Sequence, residues 1–132
     1  MIYTETIKLK IDTQKYVDIT AKVEDIVNKS KVKDGVCIIF SIGSTSGIIL
    51  NENEPMLIKD IENALEIVSD PDKIYNHSEN AFSHIRSSIA GNNHIIPIED
   101  GQLVRGTWQD ILVFNFDIRE RHREVIVKVM GE

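Results

Sequence analysis

Apolar and polar residues alternate along the first eleven positions of the chain, where Ile7, Leu9 and Ile11 share one face. A period of two is typical of a β-strand with one buried face and one solvated face. Residues 16–19 predict a second, short strand. The chain therefore begins with strands, and no signal-peptide pattern precedes them.

Three later segments have the spacing of helices. Thr20 is placed to cap the first. Pro55 suits the first position of the second, in which apolar residues recur at i, i+4, i+7, i+8 and i+11 and form a single stripe. Pro71 closes that helix. Residues 81–89 predict a third helix, which Gly91 caps.

Strands are predicted again in the middle of the chain. Residues 36–40 form a nearly continuous apolar run, which indicates a central strand. The small residues 41–47 interrupt it, and the apolar pattern resumes at 48–50. Such an interruption predicts a bulge or a turn, but it also lets the backbone approach a ligand closely. No lysine of the Walker type follows, so the segment is not a P-loop.

The last third of the chain is also strand-like. Asp100-Gly101 predicts a hairpin between residues 95–98 and 102–104, and residues 110–117 and 124–130 predict two further strands joined by a basic turn. At 132 residues, the length suits one domain, residues 1–132. The expected fold class is α+β, with a mostly antiparallel sheet and about three helices.

Composition and charge exclude several classes of function. The formal net charge of −6 argues against a general nucleic-acid binder, which needs a positive field. No apolar run is long enough to cross a bilayer. Cys37 is the one cysteine, so no intrachain disulfide can form, and its apolar surroundings indicate a buried packing residue. We expect a cytoplasmic protein.

The densest group of reactive side chains lies at residues 75–86, which include two imidazoles, a carboxylate, two carboxamides and a guanidinium. Metal and phosphate sites need such convergent groups. His77 and His84 are seven residues apart, about 10 Å along a continuous helix. They can meet only if His77 lies in a loop before the helix and folds back.

Other polar residues have alternative explanations. Glu52, Glu54, Glu79 and Asp60 compete as further ligands, although a carboxylate at a helix start, such as Glu54, is often only a dipole partner. His94 and His122 are expected in solvated loops. Trp108 suits a packed core or interface aromatic better than a ligand-stacking one.

Several short motifs occur in order along the chain. They are residues 47–52 (GIILNE), 75–77 (YNH), 81–85 (AFSHI), 96–98 (IPI), 101–109 (GQLVRGTWQ), 116–117 (FD) and Arg121. In this order they resemble the YjbQ family, small proteins described as secondary thiamine-phosphate synthases. The resemblance covers nearly the whole chain, and the Gly-x-Leu-x-x-Gly-Thr-Trp-Gln element is its most specific part.

The resemblance implies a compact α+β domain that commonly assembles as a trimer and that in some members carries a metal. His77 and His84 match the family's histidines, and Glu52 matches the acidic end of its strand motif. These three are the candidate ligands of a divalent metal, zinc or magnesium. Where the family has His-Thr-Thr, this chain has residues 43–45 (GST), so one imidazole is missing. A two-histidine zinc site binds more weakly than a three-histidine one.

The resemblance also implies an activity. The leading hypothesis is a transferase of low activity that couples an aminopyrimidine diphosphate with a thiazole phosphate and releases diphosphate. Departure of diphosphate requires charge neutralisation, for which His84 and Arg105 are the candidate catalytic residues. The candidate phosphate-binding residues are Ser44, Thr45, Ser46, Arg86 and Arg105.

Two alternatives remain open: a non-enzymatic module that binds a metal or a phosphorylated ligand, and a metal-dependent hydrolase of a small phosphorylated compound. The expected partner is a small phosphorylated molecule, with no nucleic acid and no membrane. We expect a homotrimer in which the strand at 125–130 completes a neighbour's sheet. Arg105 is expected to reach the pocket of the two histidines from its own or a neighbouring chain, unless it is a surface residue of the hairpin.

Overall fold

Eight strands and three helices follow one another along the chain, and the computed structural model describes all 132 residues. The strands are β1 (Ile2–Ile11), β2 (Tyr16–Asp18), β3 (Gly35–Ile42), β4 (Ser46–Asn51), β5 (Asn93–Glu99), β6 (Gln102–Leu103), β7 (Asp110–Asn115) and β8 (Arg121–Gly131). The helices are α1 (Thr20–Ser30), α2 (Pro55–Val68) and α3 (Ala81–Ala90).

The strands form two antiparallel sheets. The larger has the order β1-β8-β3-β5-β6, and the smaller has the order β2-β7-β4. All six strand pairings are antiparallel. The α+β class and the three helices predicted from the sequence are therefore confirmed.

The main core lies between the large sheet, the small sheet and α1. The inward face of β1 contributes Ile7, Leu9 and Ile11, as its alternation predicted. The inward positions of β8 contribute Val125 and Val127, both fully buried. Eighteen buried apolar residues form this one cluster, which is the dominant source of stability because apolar burial drives folding.

A second, smaller core lies between the small sheet and the other two helices. Phe114 stacks on Tyr16 at 5.1 Å and on Phe116 at 5.4 Å between ring centroids. Ile58 and Leu65 of α2 pack against these rings. This packing places the C-terminal end of β7 beneath the helical layer, where the candidate site lies.

The helix starts differ slightly from those predicted. Thr20 is the first residue of α1 rather than its cap, and the Asp18 carboxylate accepts hydrogen bonds from its backbone N–H at 2.9 Å and from its hydroxyl. Glu54 accepts hydrogen bonds from the N–H groups of Met56 and Leu57, which is the helix-start role predicted for it. Gly91, with a φ of 82°, ends α3 as expected.

Two expectations about the C-terminal strands are wrong. Strand β8 pairs with β1 on one side and β3 on the other, so it has no free edge with which to complete a neighbour's sheet. Strands β7 and β8 belong to different sheets, so the segment between them crosses from one sheet to the other instead of forming a hairpin turn. None of the three helices combines the length and the apolar character that a membrane span requires.

Candidate ligand-binding site around two histidines

The two histidines predicted to converge do so at the start of α3. Asn80 is the N-cap residue of the helix, and Glu79 before it has a φ of 73°, a left-handed conformation that reverses the chain. His77 thereby folds back toward His84, and their rings meet edge to face with centroids 5.2 Å apart. The predicted approach across a loop–helix junction is confirmed.

The two rings line an open cavity of about 450 Å³. Its other lining residues are Tyr75, Asn76, Ala81 and Ile85. The cavity therefore combines an apolar wall with ring nitrogens and a carboxamide. This combination of a largely apolar lining with a few polar groups is usual for small-molecule sites.

A chain of hydrogen bonds behind the cavity orients His77. Asn80 Nδ2 donates to Asp117 Oδ1 at 3.4 Å, which leaves Asn80 Oδ1 as an acceptor. The Nε2 atom of His77 lies 3.2 Å from that oxygen and must carry the proton that forms this bond. In the neutral ring Nδ1 is then the atom with a free lone pair, available to a ligand.

Asp117 is the buried anion of the site, only 2% exposed. Burial by itself would raise the pKa of this carboxyl. The hydrogen bonds from the Ile118 amide and Asn80, together with the positive charges of Arg121 and Arg119, outweigh burial and hold its pKa below the usual value. Asp117 is therefore ionised at neutral pH, and Arg121 Nη1 lies 3.3 Å from it.

The buried guanidinium of Arg123 also stabilises the region around Asp117. Arg123, 2% exposed, donates through Nη2 to the carbonyl and the hydroxyl of Thr45 and to Asn115 Oδ1. Burial lowers the pKa of Arg123, and the charge of Arg121 acts in the same direction, while Asp117 opposes it. An arginine nonetheless stays protonated at neutral pH, so the site contains buried charges of both signs.

Gly43 lies next to the Arg123 guanidinium and leaves no room for a side chain there. Its φ is +131°, and a Cβ built there would lie 2.8 Å from Arg123 Nη1. A histidine at this position, where the family's histidine is expected, would meet both a strained backbone and the guanidinium. Glycine in place of the family's histidine therefore fits the local backbone conformation of this chain.

The three hydroxyl residues predicted to bind phosphate point in different directions. Ser44 is exposed. Thr45 is buried and donates to Asp117 at 3.4 Å, while Ser46 is buried with its hydroxyl 2.9 Å from that of Ser41. Ser44 is thus the member of the turn with a hydroxyl open to a ligand.

Arg86 lies on α3 but is used within the protein. Its Nε donates to the Ser69 hydroxyl at 2.9 Å and its Nη1 donates to Gln14 Oε1 at 2.9 Å. Its guanidinium also lies over the Phe82 ring, 5.1 Å from the centroid. These contacts connect α3 to the end of α2 and to the β1–β2 loop.

Arg105 and Glu52 lie at the opposite end of the small sheet within one chain. Arg105 lines a separate polar cavity of about 440 Å³ and forms ion pairs with Glu24 at 3.4 Å and Asp110 at 3.9 Å. Glu52 follows the end of β4 that pairs with Asp110, whereas the histidines adjoin the other end of β7 through Asp117. Arg105 therefore does not enter the histidine pocket of its own chain, and its approach from a neighbouring chain stays a prediction.

The side chains of one chain do not supply enough ligands for a metal site. His77 and His84 supply two nitrogens, and no group of three or more histidine, cysteine, aspartate or glutamate side chains converges anywhere in the structure. Zinc sites normally take three or four protein ligands. The residues of one chain therefore do not fit a resident metal by themselves, and we assign no chemical step to one.

Sequence reasoning noted Asn80 and Asp117 only as members of motifs, and it did not assign the supporting roles of Asn80, Asn115, Asp117 and Arg123. A signal for two of them existed: Arg123 shares the inward register of Val125, and Asn115 follows the buried run of β7. A polar residue at an inward position needs a buried partner.

Comparison with known proteins adds the family context. The family model described as "UPF0047 protein YjbQ-like" matches residues 5–132. A UPF0047 protein of Methanocaldococcus jannaschii is 39% identical over 95% of this chain and 94% of its own, and the YugU protein of Bacillus subtilis is 33% identical over 93% and 97%.

Solved structures agree with these matches. A YjbQ-like protein of unknown function from Sulfolobus solfataricus superposes with a TM-score of 0.91 at 33% identity, covering 100% of both chains. A protein of the YjbQ family from Clostridium acetobutylicum has a TM-score of 0.89 at 36% identity, covering 96% of this chain and 99% of its own.

Proposed function

Because the chain belongs to the YjbQ family, we propose that its histidine pocket binds a small phosphorylated molecule. The observation that carries this proposal is the pair of imidazoles, 5.2 Å apart between centroids at one open cavity. Two rings at this separation can contact one anionic group together. A bound phosphate favours their protonated forms, because an opposite charge nearby stabilises the imidazolium.

The hydrogen-bond chain from Asp117 through Asn80 determines which nitrogen of the His77 ring faces the ligand. It fixes a proton on His77 Nε2 and leaves Nδ1 available. When Nδ1 is also protonated, His77 donates to the ligand with one nitrogen while the buried carboxylate stabilises its charge through Asn80. The Asn76 carboxamide is a further donor at the cavity.

The finer proposal, which rests on the family resemblance, is the coupling of an aminopyrimidine diphosphate with a thiazole phosphate. The thiazole nitrogen forms a bond to the methylene carbon of the pyrimidine, the bond from that carbon to the diphosphate oxygen breaks, and its electron pair leaves with diphosphate. Protonated His77 and His84 would neutralise the departing charge. Arg86 is held by Ser69 and Gln14, so we assign it a structural role.

A non-enzymatic binding module is the second candidate. It is favoured by Gly43, which supplies no imidazole, and by the distance of Arg105 from the pocket of its own chain. The hydrolase alternative depends on a metal, zinc or magnesium, for which one chain offers two ligands only. Zinc binding stays a prediction: zinc analysis of the purified protein should give less bound metal for His84→Ala at unchanged folding.

Calorimetric titration with inorganic diphosphate tests the proposal. At fixed ionic strength and pH 6, His77→Ala and His84→Ala should each weaken binding by about 10-fold, the effect of losing one hydrogen bond to a charged group. His122→Ala removes another exposed imidazole outside the cavity and should change nothing. Equal affinity in all four proteins would refute binding at this pocket.

The reaction is tested separately by incubating the two phosphorylated precursors with each protein and measuring thiamine phosphate by chromatography. Product formation that is lost in His84→Ala but kept in His122→Ala supports the transferase. Diphosphate binding without product supports the binding module.

A further inference from the structure

The most exposed large apolar side chains of this protein lie on α2 and on the loop that follows it. Ile74, Ile67 and Met56 are 94%, 83% and 75% exposed, more than any other large apolar residue of the chain. Helix α2 buries only Ile58 and Leu65, which pack against the small sheet. The outward side of α2 therefore keeps large apolar groups in water, although the helix has a buried side that could have held them.

These apolar groups share one face of the helix with polar and acidic residues. Met56 and Ile67 are eleven positions apart, which places them on the same side of an α-helix. An open groove of about 380 Å³ lies at the C-terminal half of this side. We call the surface the α2 face; its members are Met56, Asp60, Asn63, Glu66, Ile67 and Asp70, all of them exposed, and the last four line the groove.

The loop after α2 extends this surface. The Asp70 carbonyl accepts hydrogen bonds from the Lys73 amide at 3.3 Å and from the Tyr75 hydroxyl at 2.9 Å. Ile74 lies between these two residues, so both bonds hold it close to the end of the helix. The apolar side chain of Ile74 is thus presented beside the α2 face.

Negative charge is concentrated around the α2 face. Residues 52–79 contain eight carboxylates and two lysines, a local charge of −6, which equals the formal net charge of the whole chain. The remainder of the protein is therefore neutral on balance. Asp60, Glu66 and Asp70 take part in none of the six ion pairs of the structure, so their charges are not neutralised within the chain.

The combination of exposed apolar groups and unpaired carboxylates defines the chemistry of a matching partner. Apolar side chains at helical spacing pack against the apolar stripe of a second helix. The carboxylates beside them attract lysine and arginine, whereas the same field repels the phosphates of nucleic acids and of anionic lipids. We propose that the α2 face binds a basic amphipathic helix of another protein, with Ile67 packed against its apolar stripe.

A second copy of this chain does not offer such a helix. Helix α1 carries two lysines and two carboxylates, so it has no net charge. In α3 the one arginine, Arg86, is buried and donates to Ser69 and Gln14. Helix α2 itself is acidic. Charge complementarity therefore favours a different polypeptide over another copy.

A labelled synthetic peptide of leucine and lysine tests this proposal by fluorescence anisotropy with the full chain. The peptide has about 18 residues, enough for a helix in water, and its leucines recur at i, i+3, i+4 and i+7 to form one apolar stripe. The wild type should bind it, and added salt should weaken the binding because it screens exposed charges. A peptide with glutamate in place of every lysine should not bind.

Ile67→Glu separates packing of the helix from attraction by charge alone. The substitution adds a negative charge, so a purely electrostatic contact with the peptide would become tighter. Loss of the apolar contact should instead weaken binding at least about 10-fold. Ile2→Glu is the matched control, because it adds the same charge at an exposed isoleucine of β1; screening should keep its affinity within about 2-fold of the wild type. Ile67 is mostly exposed, so the melting curve of Ile67→Glu should remain cooperative.

The carboxylates are tested by the double variant Glu66→Gln, Asp70→Asn, which should weaken peptide binding about 5-fold. A wild type that does not bind the lysine peptide would overturn the proposal, and so would unchanged or tighter binding by Ile67→Glu or equal binding of the glutamate peptide. If light scattering showed that Ile67→Glu dissociates an assembly of the wild type, the α2 face would be a contact between copies, which also overturns it. Diphosphate affinity at the histidine pocket is a separate measurement, so the two proposals can fail independently.

Discussion

Replacing Asn115 with alanine should be among the most damaging single changes in this protein. Asn115 is fully buried at the end of β7. Its Nδ2 donates to the carbonyls of Ile11 at 2.9 Å and Arg119 at 2.9 Å, and its Oδ1 accepts from the Asp117 amide at 3.1 Å and from Arg123. One carboxamide thus connects both sheets and the loop that carries the buried anion of the site.

The magnitude follows from the groups that alanine leaves without partners. The Asp117 amide and the Ile11 carbonyl lose their bonds to Asn115 in a buried setting, and the Arg123 guanidinium loses one of its acceptors. An unsatisfied buried polar group costs about 1–3 kcal/mol. With two or three such groups and partial relaxation, we expect a loss of about 3–5 kcal/mol, a large part of the 5–15 kcal/mol by which a domain is usually stable.

Urea unfolding followed by far-ultraviolet circular dichroism measures this loss by linear extrapolation. Asn63→Ala is the control, since Asn63 is exposed on α2, and such surface changes usually stay within about 0.5 kcal/mol. If Asn115→Ala lost less than about 1 kcal/mol at an unchanged slope, water or rearrangement would be satisfying these groups. The hydrogen-bond network would then not be a main support of the site.

Four further predictions concern single positions and the assembly. Burial raises the pKa of the Cys37 thiol to about 12, so iodoacetamide should label it at pH 8 only in denaturant; labelling of the native protein would contradict its burial. The pKa of Asp117 is lowered in the folded protein, so its ionised carboxylate stabilises the fold at pH values above the ordinary carboxyl pKa. This contribution is lost as the pH falls through the folded pKa. The acid-induced loss of stability below about pH 4 should therefore be smaller in Asp117→Asn than in the wild type. Gly43→Ala should lose more stability than Gly91→Ala in thermal unfolding, because both glycines have positive φ but only the Cβ at Gly43 meets Arg123; such crowding costs about 1–3 kcal/mol, and equal losses would refute the contact. Light scattering should give three times the chain mass of 15.0 kDa if the trimer expected from the resemblance forms, and a monomer would exclude it.

The local elements of this protein follow from its sequence because each depends on neighbours along the chain. The period-two alternation around Ile7 is the buried face of β1, and Pro55 begins α2. Asp100 and Gly101 have φ values of 52° and 76°, the left-handed pair that a two-residue hairpin requires. The approach of His77 and His84 could also be predicted from the sequence, because both residues lie within one loop and the start of one helix.

The tertiary structure alone decided which distant residues meet. No local pattern showed that β7 and β8 belong to different sheets, or that β8 is enclosed by β1 and β3, because strand pairing depends on the whole sheet. For the same reason the sequence could not show that, within one chain, Arg105 and Glu52 lie at the other end of the small sheet from the histidines. The buried network of Asn80, Asp117 and Arg123 arises because residues far apart in the chain must satisfy one another's polar groups once water is excluded.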